Sequence, residues 1–186
     1  MSISAERSLG RESVLRDGAV ARLRAVPYDD PVAGYLIEQV QQEYVQRYGG
    51  PDAAAVDPAE FLPPSGLFLV AEVAGVPAGS GAWRALGKGM AEIKRVYVEP
   101  AFRRRGLAQL IVDALERSAA AAGQTWVVLN TGGRQPEALA LYAQAGYGTV
   151  AGYGMYACAP DAVFLGKSLA SLHSGADGGE LSTWAS

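Results

Sequence analysis

One change of period, between residues 92 and 122, constrains this chain more than any other feature. Glu92, Lys94, Val96 and Val98 alternate with Ile93, Arg95 and Tyr97, a two-residue rhythm rich in strand formers. The alternation places Glu92, Lys94, Val96 and Val98 on one face. Glu99-Pro100 ends the strand, because proline cannot donate to a ladder and restricts the residue before it. From Gly106 the rhythm turns helical, with Leu107, Leu110, Ile111, Ala114 and Leu115 forming one apolar stripe. Between strand and helix lies Arg103-Arg104-Arg105-Gly106-Leu107-Ala108. Free amides at a helix start, a glycine that admits close backbone approach and three guanidiniums compose an anion site suited to a pyrophosphate.

Two familiar phosphate loops do not fit. The chain has no G-x-x-x-x-G-K-[ST], and Gly106 has no glycine two residues on. Taken alone, three arginines and a glycine also suit a solvated turn. In this setting, however, the spacing Arg103-x-x-Gly106-x-Ala108 resembles the coenzyme A loop of the GNAT superfamily of N-acetyltransferases. Residues 129–147, LNTGGRQPEALALYAQAGY, resemble that family's second motif, with Leu141-Tyr142 followed by Gly146-Tyr147. The two motifs cover residues 92–147, and a looser likeness runs over residues 19–169.

The resemblance implies an α+β fold: a mixed, mostly antiparallel acetyltransferase sheet in which one parallel pair is joined by the central helix as a right-handed crossover. It implies an amine attacking the thioester of acetyl-CoA directly, with no acyl-enzyme and no metal. The cofactor is then held by the backbone of Val96, Tyr97 and Val98 and by Arg103, Arg104, Arg105, Gly106, Leu107, Ala108 and Gln109. Ala108 stands where many relatives have glycine. Gln135 stands where they often have asparagine, and can make the same amide contact at a different reach.

Tyr142 becomes the acid that protonates the departing thiolate, and also touches the cofactor. A thiol near ~8.5 and a phenol near ~10 make that transfer roughly balanced. The competing reading is a core aromatic on the helix face. Glu92 becomes the candidate base. An alkyl amine near pKa ~10.4 is neutral in about one molecule in 2,500 at pH 7, which costs about 4.6 kcal/mol unaided. Glu92 could instead simply pair with Lys94. Trp83, Trp126, Tyr97 and Tyr147 read as core or cleft lining.

Composition enters as a set of exclusions. His173 is the only histidine and Cys158 the only cysteine, which argues against a Ser-His-Asp triad, a disulfide and a thiol metal site. No apolar run approaches the ~20 residues of a membrane span, and charges break up the first 20 residues. A cytoplasmic protein is expected, with no membrane partner. A net charge of −3 and a pI ≈ 5.2 disfavour a nucleic-acid partner. The acids gathered between residues 25 and 92 would tolerate a cationic acceptor. The partner is an amine on a small molecule or peptide, and a homodimer is left open. The alternative from another class is a catalytically silent acyl-CoA-binding module.

In chain order, residues 1–18 read as a flexible arm, 19–169 as the acetyltransferase domain and 170–186 as a disordered tail. Within the domain, residues 20–26 form a strand, and Asp30-Pro31 caps a helix carrying Leu36, Ile37, Val40, Tyr44 and Tyr48 to Gly49-Gly50. Residues 51–65 are a long proline-rich loop on the acceptor side. Residues 67–74 and 77–86 form a hairpin about Gly75-Val76, in which Gly79 and Gly81 signal a bulge or close backbone contact. After the central helix come a strand at 125–130, a helix at 136–145, and strands at 149–156 and 162–167.

Overall fold

Asp30 starts the first helix as its sequence predicts, its carboxylate accepting the Val32 N–H at 2.8 Å ahead of Pro31. Left-handed Gly49, φ 81°, ends it. The computed structural model describes residues 12–174. Its elements are β1 (Glu12–Val14), β2 (Val20–Ala25), α1 (Pro31–Tyr48), β3 (Gly66–Val73), β4 (Val76–Gly87), β5 (Met90–Val98), α2 (Leu107–Ala121), β6 (Trp126–Gly132), α3 (Pro136–Gln144), β7 (Gly148–Thr149), β8 (Ala162–Ser168) and α4 (Ala170–Ser174).

The strands form one mixed sheet in the order β1-β2-β3-β4-β5-β6-β8-β7. All neighbours are antiparallel except β5 and β6, the pair joined through α2. This is the expected α+β architecture.

Each face of the sheet carries a core. On one side Leu107, Ile111 and Leu115 of α2 pack with Trp83, Ile93 and Leu129; on the other, Leu36 and Val40 of α1 pack with Phe61, Phe68, Val70 and Tyr97. Gly81 explains how closely α2 rides on β4: a Cβ there would lie 2.6 Å from Ile111. The bulge the glycines signal is present. Ala82 pairs with Lys94 and Ser80 with Tyr97, so two steps along β4 match three along β5. The extra residue is Arg95, with φ 58°.

That bulge corrects the simple alternation. Ile93, Val96 and Val98 belong with the α2 core, whereas Tyr97 belongs with the α1 core. Glu92 and Lys94 therefore do not share a face with Val96 and Val98. They sit with Arg95 on the α1 side, where Asp52 and Arg84 meet them.

Smaller departures have local causes. The hairpin turns at Ala74-Gly75, both with positive φ, one residue earlier than predicted. The predicted strand at 149–156 survives only as β7, because Gly154, φ 64°, turns the chain into a short 3-10 segment, Gly154–Tyr156. The N-terminal arm is docked where it is described: β1 pairs with β2, and Leu15 is buried. Ala170–Ser174 is helical rather than irregular, anchored by fully buried Leu169. Residues 1–11 and 175–186, the remainder of the expected arm and tail, lie outside the described residues. No helix among the described residues is long and apolar enough to cross a membrane.

Candidate active site

The parallel pair is short. Met90, Ala91 and Glu92 oppose Trp126, Val127 and Val128, and beyond them β5 and β6 part. Each stays paired on its outer side, β5 with β4 to Val98 and β6 with β8 along its whole length. The wedge between them is a cavity of ≈ 770 Å³, walled by residues 92–98 of β5, Leu129–Thr131 of β6, the second half of α1, the start of α2 and the length of α3. The sequence-predicted residues Glu92, Val96, Tyr97, Val98, Arg103, Arg104, Gly106, Leu107, Ala108, Gln109, Gln135 and Tyr142 all line it. Arg105 does not.

At the nucleotide-sized end, α2 begins without a capping side chain after left-handed Gly106, φ 89°. The N–H groups of Leu107, Ala108 and Gln109 therefore have no carbonyl one turn back to meet. They point into the cavity end with the positive pole of a 15-residue helix behind them. The three arginines are not equivalent. Arg103 donates through Nε to the Val98 carbonyl at 2.8 Å, pairs with Glu43 and lies over the Tyr97 ring. Arg105 is tied to the Ala101 carbonyl at 2.8 Å and to Asp17 at 3.0 Å. Arg104 alone of the three is exposed and without a partner among the described residues.

Tyr142 comes from α3, 5% exposed, with its ring edge-on to Tyr147. Burial pushes its phenol above the usual range, and the Tyr44 phenol adds to this. Tyr44 lines the cavity from α1, and burial pushes it up to about 12 against the lowering influence of Arg95. Gln135 donates its amide to the Tyr48 hydroxyl at 3.1 Å, so α1 also positions the start of α3.

Glu92 is 5% exposed. Arg84 Nε holds one carboxylate oxygen at 2.9 Å, and Lys94 Nζ lies 4.0 Å from the other. Arg84 is shared with Glu60 at 2.5 Å. Next to this cluster, Asp52 receives Arg95 at 2.6 Å, the Ala54 N–H at 3.0 Å and the Tyr156 hydroxyl at 2.9 Å. Burial by itself would push the Asp52 carboxyl up; Ala54, Lys94 and Arg95 outweigh it and hold the group below its usual range. Left-handed Arg95 costs about 1–3 kcal/mol of backbone strain, and the ion pair with Asp52 offsets it. Asp52, Arg95 and Tyr156 carry no sequence signal of their own. Asp52 lies in a loop, and only the bulge turns Arg95 toward it.

The acids of this end do not leave a negative pocket. Asp52, Glu92, Glu43 and Glu137 each meet an arginine, respectively Arg95, Arg84, Arg103 and Arg47. The cavity-lining acids of residues 25–92, which would tolerate a cationic acceptor, are thus each balanced by an arginine. Trp126 is likewise no lining residue: it sits at the far end of β6, 45% exposed, while Trp83 is core and donates to Ser118 at 3.0 Å.

A split parallel pair with an uncapped helix start at its mouth is matched by sequence comparison. The family model for the acetyltransferase (GNAT) family matches residues 33–147. The chain belongs to that family. An IAA acetyltransferase of Azospirillum brasilense is 28% identical over 163 residues, 87% of this chain and 97% of that protein. Among solved structures, a candidate acyl-CoA N-acyltransferase of Klebsiella pneumoniae is 27% identical with a TM-score of 0.69, covering 80% of this chain and 97% of that one. The GNAT domain of S. lividans PAT superposes with a TM-score of 0.67 at 21% identity, over 85% of this chain and 96% of that one. The yncA protein of Salmonella typhimurium, solved with its cofactor acetyl-CoA, has a TM-score of 0.62 at 18% identity, over 80% and 94%. The GNAT chain described here is an acyl-CoA-dependent acetyltransferase. Its wedge, unpartnered helix amides, small Ala108 and free Arg104 fit acetyl-CoA as co-substrate.

Proposed function

We propose that this GNAT enzyme transfers the acetyl group of acetyl-CoA directly to a primary amine of a small molecule or peptide. The observation that carries this reading is Tyr142, a protonated phenol lining the same cavity into which the α2 amides open. Acetyl-CoA supplies the activated acetyl group as a thioester. The amides of Leu107, Ala108 and Gln109, with Arg104, hold its phosphates, and Gln135 and the β5 backbone steady its pantetheine arm.

The nitrogen–carbon bond forms as the carbon–sulfur bond breaks. Two protons leave the ammonium nitrogen. One reaches sulfur by way of Tyr142, and the other leaves through a water to Glu92. Arg84 fixes one Glu92 oxygen, the other lies 4.0 Å from Lys94 Nζ, and the residue lines the cavity. A cytoplasmic enzyme with no membrane partner goes with this reading, and the acidic pI ≈ 5.2 argues against a nucleic-acid partner.

The test is thiol release from acetyl-CoA on mixing with a panel of small amines and peptides. Turnover dependent on both an amine and Tyr142 is the expected result. Thermal stabilisation by CoA with no turnover across the panel would favour the silent acyl-CoA-binding module.

A further inference from the structure

Six cations and four carboxylates line the wedge, a net of +2 in a chain whose total is −3. Their pairings are uneven. Arg47, Arg95 and Arg103 each hold one of the carboxylates Glu137, Asp52 and Glu43, and Lys94 sits between Asp52 and Glu92 at 3.7 and 4.0 Å. Two cations remain with no ion pair or side-chain hydrogen bond among the described residues: Arg104, in the phosphate loop, and Arg16. Arg16 belongs to the N-terminal segment that sequence reasoning set aside as an arm.

The segment is seated on the loop. Leu15 is buried, and the Arg16 N–H donates to the Arg105 carbonyl at 3.1 Å. The Arg16 side chain runs beside Gly106, whose added Cβ would stand 3.5 Å from Arg16 Nε. The next residue, Asp17, binds the Arg105 guanidinium at 3.0 Å. The turn between β1 and β2 thus withdraws one guanidinium of the loop and sets another in its place, with its charge free and facing the cavity.

We infer that Arg16 is a ligand for a phosphate of the CoA nucleotide, contributed from outside the loop motif by the N-terminal segment of the same chain. This rests on the reading of acetyl-CoA as co-substrate. A planar guanidinium beside a helix N-terminus, with no carboxylate partner among the described residues, can donate two parallel hydrogen bonds to a pair of phosphate oxygens. Arg16 and Arg104 both line the cavity beside this helix start, so a bound phosphate would meet both charges.

The experiment is calorimetric titration of wild type, Arg16→Ala and Arg16→Lys with CoA and with 3′-dephospho-CoA at several salt concentrations. Arg16→Ala should weaken CoA binding about tenfold, or ~1.4 kcal/mol, and flatten the dependence of affinity on salt. Arg16→Lys should restore the salt dependence and part of the affinity. A loss with CoA but not with the dephospho compound assigns Arg16 to the 3′-phosphate; equal losses assign it to the pyrophosphate. Unchanged affinity and salt slope in Arg16→Ala would overturn the inference. If wild type itself fails to bind CoA, the co-substrate reading fails instead. Arg16 is exposed, so its variants should keep the wild-type melting temperature, and no folding defect would mask the result.

Discussion

The two ends of the wedge are built on opposite principles. The cofactor end draws on backbone amides from consecutive residues and leaves two cations unpaired. The acceptor end collects side chains from α1, the loop after it, β4, β5 and the segment between β7 and β8, and closes nearly every charge on a partner. An open set of positive groups suits one fixed, highly charged ligand. A closed ion-pair network, costly to desolvate and strict in geometry, shapes a pocket without advertising a charge preference. If the acceptor binds at this end, its choice should rest on shape and hydrogen bonding more than on net charge.

Tyr142 stands where the two ends meet, and the largest effect is expected there. Tyr142→Phe keeps the edge-on contact with Tyr147 and removes the proton donor. Its kcat should fall by about 10²–10⁴-fold while CoA affinity, read by calorimetry, stays near wild type. Wild-type turnover would make Tyr142 a packing residue and leave the two ends without a shared acid.

Glu92 tests whether the acceptor end works chemically or only holds its shape. Glu92→Gln should lower kcat/KM by about 10²-fold, the low side of the range for a general base. The loss should be greatest at low pH, where neutral amine is scarcest, and high pH should partly restore the rate. A pH-independent loss with a lower melting temperature would mean that Glu92 serves only as a partner for Arg84.

At the cofactor end the comparison is between a free and a tied arginine. Arg104→Ala should weaken CoA binding about tenfold, or ~1.4 kcal/mol, with a shallower salt dependence. Arg103→Ala should leave CoA affinity within about threefold, and reveal itself in thermal stability through the lost contacts to Glu43 and Val98. Equal losses in both would show that Arg103 leaves Glu43 when the cofactor arrives.

These contrasts track what the sequence could reveal. Strand, loop and α2 are contiguous, so the period change and the position of Gly106 suffice to read that strand–loop–helix unit, and the Asp30 cap marks the start of α1. Gly79 and Gly81 signal a bulge, but not that its extra residue is Arg95 on the neighbouring strand, which separates Glu92 and Lys94 from the face of Val96 and Val98. Asp52, Tyr156 and Arg16 were missed for a related reason. Each acts on partners 43, 104 and 89 residues away in sequence, counted to Arg95, Asp52 and Arg105, and no local pattern records such a pairing.

The smallest effect concerns how dry the acceptor end is, and Tyr44 reports it. A phenol pushed up to about 12 in the fold, against ~10 in the unfolded chain, is held protonated by folding. Its contribution to stability is complete below pH ~10 and is lost as pH rises toward 12, because there the unfolded chain binds fewer protons than the native one. One such group removes at most about 1.4 kcal/mol per pH unit, a shift of a few degrees. The melting temperature of the wild type should therefore fall between pH 10 and 12, with Tyr97, pushed up to about 12 by burial and then Glu99, and the buried phenols of Tyr142, Tyr147 and Tyr153, also pushed up by burial, adding to the slope. Tyr44→Phe should leave stability at pH 8 nearly unchanged and make the alkaline decline shallower, with the part from the other phenols remaining. An unchanged slope would mean that water reaches the Tyr44 hydroxyl and that the acceptor end is open to solvent. In that case its ion pairs would be exposed contacts worth little, and acceptor choice would return to charge.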